Sequence, residues 1–239
     1  MYIYGKNVCR EKLRTNSNIY KVFIGKNFND KEIINDIKNK NIKINFVNNI
    51  VLDRKVDGLH QGIVMDVDEI EIYKLEELLD IIKNKKNPLV VMLDHLEDPH
   101  NFGAIIRTSE ALGVDGIIIP NDRSVKVNST VIKTSVGSID NMKIIRVSNL
   151  GVAIKKLKDN NFWIVGTDMQ GEDYTKLDYN MPVCLVIGNE GKGISKVIYK
   201  NCDYIASIPM VGKTNSLNAS VACGIILSRI VASRGNYEL

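Results

Sequence analysis

Residues 207–227 read SIPMVGKTNSLNASVACGIIL, and two incompatible readings meet in them. Gly212-Lys213-Thr214 ends like a phosphate-binding loop, while Asn-Ser-Leu-Asn follows immediately. A phosphate-binding loop needs G-x-x-x-x-G-K-[ST], with the first glycine opening an anion-cradling turn and a helix starting at the lysine. Here the position five before Gly212 is Ser207. Pro209, which has no N–H to offer, sits inside the would-be cradle. The apolar helical pattern begins only at about Leu217. The nucleotide-loop reading therefore fails. What remains is a polar segment leading into a helix expected from about Leu217 to Ser233, with Ser216 as its cap and Val221, Ile225 and Ile226 buried. Capping accounts for Ser216 but not so readily for Asn218.

Upstream, short apolar runs alternate with helical patterns. The runs are LVVMLD (89–94), GIIIP (116–120), KIIRV (143–147), FWIVGTD (162–168), VCLVIGNE (183–190) and DYIASIPM (203–210). Continuous Val/Ile/Leu strands separated by helices such as NFGAIIRTSEAL predict a parallel sheet covered on both faces. Ligands of such sheets bind beyond the carboxyl ends of the strands. Three loops qualify: 94–101, 188–193 and 210–218.

In the first loop Pro99 and Asn101 are candidates to start a helix and Gly113 to end one. Arg107 and Glu110 share a face, with Ile105, Ile106 and Leu112 turned toward the sheet; a surface ion pair is the plain alternative for that pair. Asp94, Glu97 and Asp98 read as loop-capping acids rather than a Mg²⁺ site. In the second loop Gly188 permits close approach to the backbone, and Gly191 and Gly193 permit positive φ. The spacing is not G-x-G-x-x-G, so no dinucleotide site is supported.

The first part of the chain reads as a small α/β unit. Helices are expected near 7–14 and 30–39, and strands at 20–25, 42–47 and 62–67. A charged helix, EIYKLEELLDIIKNKKN, runs to Pro88 as a linker. Residues 1–60 hold 12 Lys/Arg against 6 Asp/Glu within a chain of net charge +4. That surplus could track a phosphate backbone or be a solvated lysine-rich surface. Four separated cysteines without a C-x-x-C pair, and three histidines without metal-ligand spacing, argue for reduced thiols and no metal centre. No apolar run reaches 18 residues and the start lacks an apolar signal core, so a cytoplasmic, non-membrane protein is expected.

These residues carry a resemblance. DHLEDPHNFGAIIRTSEALG, LVIGNEGKGI and IPMVGKTNSLNASVA, in that order over roughly 88–233, resemble the three motifs of the SpoU (TrmH) family of RNA ribose 2′-O-methyltransferases. YGKNVCREKL, KVFIG and HQGIVMDV, above all His60-Gln61-Gly62, resemble the family's small ribosomal protein L30e-like substrate-binding domain. The resemblance implies an α/β protein of three parts: a substrate-binding domain over 1–70, a linker helix over 71–87 and a SPOUT trefoil-knotted parallel-sheet domain over 88–239. It further implies a homodimer and S-adenosylmethionine as methyl donor, held at Thr167, Gly188, Ile208 and Leu217. By position, Arg107 maps to the family's catalytic arginine, Asn101 lies beside it, and Glu190, Ser216 and Asn218 map to its other polar motif positions.

The expected activity is methylation of a ribose 2′-hydroxyl in RNA, a guanosine of 23S ribosomal RNA being the first choice. Transfer RNA is the alternative substrate, and an adenosine of ribosomal RNA a third possibility. A non-catalytic RNA-binding or ribosome-assembly protein is the competing class. Neither DNA nor a membrane is expected as a partner.

Overall fold

The computed structural model describes residues 1–15, 18–214 and 216–235. The chain forms two compact units, Met1–Ile70 with Val127–Asn141, and Glu71–Lys126 with Met142–Leu239. The first begins with β1 (Tyr2–Tyr4), α1 (Lys6–Arg14), β2 (Ile19–Gly25), α2 (Lys31–Asn39), β3 (Ile44–Val47), α3 (Asn49–Asp53) and β4 (Ile63–Val67). The second opens with β5 (Ile72–Tyr73), α4 (Leu75–Ile82), β6 (Leu89–Leu93), α5 (Pro99–Ala111) and β7 (Gly116–Pro120). The chain then returns to the first unit for α6 (Ser129–Ser135). It finishes in the second with β8 (Ile144–Val147), α7 (Leu150–Asp159), β9 (Trp163–Asp173), β10 (Val183–Ile187), α8 (Lys196–Tyr199), β11 (Tyr204–Ser207) and α9 (Ala219–Ser233).

In the first unit the sheet order is β1-β4-β2-β3. β4 runs antiparallel to both neighbours, and β2 and β3 run parallel. Ile3, Val22, Ile24, Ile63 and Met65 project from the strands onto Leu13 of α1, Ile33 and Ile37 of α2 and Ile132 of α6. The sequence reading kept 127–141 with the rest of 88–239. Two contacts place it here: Ile132 enters this core, and Asp140 meets Lys12 at 2.7 Å in a nearly buried ion pair.

The His60-Gln61-Gly62 turn closes the unit. Gly5 offers no side chain to cap α1, and Gln61 Oε1 accepts the Lys6 N–H instead, at 2.8 Å. His60 Nδ1 accepts the Gly62 N–H at 2.9 Å, so the ring proton sits on Nε2 and points at Asp53, 3.0 Å away.

The second unit is one seven-stranded sheet in the order β11-β9-β10-β6-β7-β8-β5, parallel at every pairing. All six apolar runs form strands; the two-residue edge strand β5 had no apolar run to announce it. Val90 and Met92 of β6 pack with α4 and α7, while alternation turns Leu89, Val91 and Leu93 to the opposite face. All five are buried, so both faces are covered, as continuous apolar strands require. α5 and α9 pack on each other, and α9 on β10. No helix of the described residues is long and apolar enough to cross a membrane.

Helix ends follow their local chemistry. α5 starts with Pro99 after the Asp98 cap, whose Oδ1 accepts the His100 N–H at 2.8 Å. It ends with Gly113 at φ +71, where the Gly113 and Val114 N–H groups return to the Glu110 and Ser109 carbonyls in a Schellman turn. The β9–β11 ladder is irregular: the partner of Ile205 is Gly166, but that of Ala206 is Glu172. The residues between them, from Thr167 onward, leave the regular ladder at the carboxyl end of the sheet.

Candidate active site

α9 begins at Ala219, two residues later than its apolar pattern suggested, and its cap is Asn218 rather than Ser216. Asn218 Oδ1 accepts from the Ser220 N–H at 2.9 Å, the Ser220 hydroxyl at 2.6 Å and the Val221 N–H at 3.4 Å. Three donors on one oxygen fix the amide's orientation, so Nδ2 must point away from the helix. It donates to Asn101 Oδ1 at 2.8 Å. Asn101 in turn donates from Nδ2 to Glu190 Oε1 at 2.9 Å. The polarity set at a helix N-terminus thus passes through a buried amide to a carboxylate and ties all three loops together. Val221, expected in the core, is 48% exposed; the buried stripe is Cys223, Ile226, Leu227 and Ile230.

Beside this chain lies a cavity of about 420 Å³. Thr167, Gly188, Ile208 and Leu217 all line it, together with Glu190 and Ser216. Its apolar wall comes from Ile187, Ala219, Ala222 and Ile226, and the Thr167 hydroxyl is committed to the Val186 carbonyl at 3.1 Å. Arg107 is not in the lining: it is exposed on α5, six residues beyond Asn101.

The glycine-rich loop is tighter than its sequence implied. A Cβ on Gly188 would lie 2.2 Å from the Gly193 carbonyl carbon, so the close approach made there is of the loop to itself. Gly193 is left-handed at φ +65, whereas Gly191 needs no positive φ. Asn189 and Gly193 form a two-way backbone bridge at 3.0 and 2.9 Å. Sequence reasoning left out Asn189, Met169 and Met210, which also line the cavity. Asn189 and Met210 follow the ends of β10 and β11, and Met169 lies in the irregular part of β9, so no periodic pattern marks any of them.

Comparison with known proteins agrees with this arrangement. The model of the SpoU rRNA Methylase family matches residues 88–228, and that of RNA 2′-O ribose methyltransferase substrate binding matches residues 2–73. A TrmH family tRNA/rRNA methyltransferase of Bacillus subtilis is 39% identical over 98% of this chain and 96% of its own. One from Staphylococcus aureus strain COL is 40% identical over 97% and 96%. Among solved structures, the SpoU methyltransferase AviRb of Streptomyces viridochromogenes, in complex with AdoMet, superposes with a TM-score of 0.80 over 99% of this chain and 91% of its own, at 24% identity. The A. aeolicus TrmH/SpoU tRNA modifying enzyme is 33% identical, with a TM-score of 0.57 over 67% of this chain and 82% of its own. This chain belongs to the SpoU methylase family and is one of its RNA 2′-O ribose methyltransferases.

Proposed function

We propose that this enzyme methylates the ribose 2′-hydroxyl of a guanosine in 23S ribosomal RNA, as a cytoplasmic homodimer. The methyl donor is S-adenosylmethionine, whose sulfonium carries an electrophilic methyl group. The observation that carries the reading is the Asn218–Asn101–Glu190 chain at the edge of the cavity. The cavity suits the donor: about 420 Å³ is within the usual range of small-ligand sites. Apolar walls fit an adenine ring and an aliphatic tail, and bent backbone at Gly188–Gly193 and Ile208 leaves main-chain groups to bind their polar edges. A knotted path joining the second and third motif loops belongs to the same reading.

The residues divide the work. Thr167, Gly188, Ile208 and Leu217 hold the donor; Asn101, Glu190, Ser216 and Asn218 fix the loops around the acceptor. Arg107 cannot serve as a proton acceptor, because a guanidinium stays charged. Its task is to bind the target phosphate and stabilise the 2′-oxygen as it loses its proton. The exposure of Arg107, outside the lining, supports its being supplied by a second copy of the chain.

The substrate choice rests on the N-terminal unit and its HQGI segment, which resemble the enzymes of large-subunit RNA. Transfer RNA is the second reading, favoured by the 33% identity to the A. aeolicus tRNA modifying enzyme. Transfer of labelled methyl groups to unmodified ribosomal and transfer RNA pools, followed by mapping, separates them. One labelled guanosine in 23S RNA is the expected result; label confined to transfer RNA overturns the substrate. Arg107→Ala should bind S-adenosylmethionine normally and lose transfer, and near-normal turnover would remove Arg107 from the mechanism.

A further inference from the structure

The segment carrying Glu190 is held from behind, by the end of β6. Asp94 is 1% exposed, and its N–H extends the β6–β10 ladder by donating to the Ile187 carbonyl at 2.8 Å. Its carboxylate oxygens have separate partners. Oδ2 accepts the Ser195 N–H at 2.6 Å, and Oδ1 faces His95 Nδ1 at 2.5 Å. A carboxylate only accepts, so His95 carries its proton on Nδ1. His95 itself is left-handed, with φ 58, and this turn presents its carbonyl to Asn189 Nδ2 at 2.9 Å. Asn189 Oδ1 then gathers the Gly191 and Lys192 N–H groups at 3.0 and 3.3 Å. Both ends of 189–195 are therefore fastened to two consecutive residues of the loop that goes on to Asn101.

We propose that Asp94 is a positioning residue for methyl transfer, acting through Ser195 and His95 to set the 189–195 segment at the separation from Asn101 that the Asn101–Glu190 bond requires. The inference rests on the reading of the adjoining cavity as the donor site. Neither Asp94 nor His95 lines that cavity, so their effect is on the position of groups that do. Loosening the clamp moves the cavity wall at Gly188–Gly193 together with Glu190, so donor binding is the quantity that responds.

The test uses the full chain. Donor affinity by calorimetry and transfer to unmodified 23S RNA are measured first on the unsubstituted protein; failure of both there overturns the donor-site reading, and this proposal with it. Two variants follow. Asp94→Ala removes both acceptors. Ser195→Pro removes only the N–H that Asp94 accepts, at a residue whose φ of −62° already matches proline. Each is expected to raise KM for S-adenosylmethionine about tenfold, as loss of a hydrogen bond to a charged group would. KM for RNA should stay within about twofold. The double variant should be no worse than Asp94→Ala alone, since the bond that Ser195→Pro breaks is already lost in Asp94→Ala. An unchanged donor KM accompanied only by a lower melting temperature would overturn the proposal, leaving Asp94 a purely structural residue. Additive losses would overturn it as well. Should Asp94→Ala fail to fold, Ser195→Pro decides the matter alone.

Discussion

Asn218 caps α9 with its oxygen and holds Asn101 with its nitrogen, 2.8 Å away. One side chain thus serves helix stability and site geometry through different atoms, and substitution can separate the two. Asn218→Asp keeps a capping oxygen, and its charge suits a helix N-terminus, but it has no hydrogen to give Asn101. Its melting temperature should match that of the unsubstituted protein while methyl transfer falls at least about tenfold, the effect of one lost hydrogen bond to a fixed partner. Asn218→Ala should lose the same activity and also about 1 kcal/mol of stability. Thermal melts and transfer rates measured on both variants check the division.

Gly188 has no room for a side chain. Its Cβ would press on the backbone of Gly193 and Ile194, at 2.2 and 2.4 Å. Gly188→Ala should therefore open the loop, costing about 1–3 kcal/mol as overpacking does, and abolish tight donor binding in calorimetry. At Gly212 nothing lies within 4 Å of where a Cβ would sit, so Gly212→Ala is the matched control and should leave stability unchanged. Equal behaviour of the two variants would contradict the steric argument.

The Lys12–Asp140 pair, with side chains 7% and 10% exposed, anchors the 127–141 segment to α1. Removing one partner leaves a buried charge without a counter-ion, a loss of about 3–5 kcal/mol. Asp140→Ala should show this in urea unfolding. Lys12→Met combined with Asp140→Leu should recover most of the loss, because the cost lies in the orphaned charge and not in the missing attraction.

Burial raises the titration of all four thiols, with Cys202 and Cys223 pushed up to about 12 and Cys9 and Cys184 also raised. An unfolded chain ionises its thiols near pH 8.5. Between that pH and about 12 the folded chain holds more protons than the unfolded one, so stability falls as pH rises through this window. Below pH 8 the contribution is complete. The urea midpoint should therefore drop steadily between pH 9 and pH 11, and less so in a Cys202→Ala variant. A chromogenic disulfide reagent at pH 8 should react slowly until the protein unfolds.

Much of this was legible along the chain. Apolar runs of Val, Ile and Leu gave the six main strands of the parallel sheet, because a strand buried on both faces cannot alternate. Asp98, Pro99 and Gly113 marked the two ends of α5 by chemistry that acts within a single turn. The four expected donor-binding positions fall on one cavity because Gly188 and Ile208 directly follow β10 and β11, Thr167 lies where β9 leaves its regular ladder, and Leu217 leads into α9, all at the carboxyl edge of one parallel sheet. Less readable were the contacts made by single side chains across long separations. Ser216 and Asn218 both suit a cap, and only the Asn101 amide on the other side of the loop explains the choice of Asn218.

The sequence by itself determined the α/β class, the parallel sheet and the two ends of α5, since these depend on periodicity and local capping, while the polar residues expected around the site came from the resemblance of three motifs to a family. Tertiary structure alone decided three things. It assigned 127–141 to the first unit through Ile132 and Asp140, turned Gly188 into a point of loop self-contact, and fastened the Glu190 loop to Asp94 and His95. Each depends on atoms about 100 residues apart in the chain, or on backbone closing over itself, and neither leaves a periodic trace in the sequence.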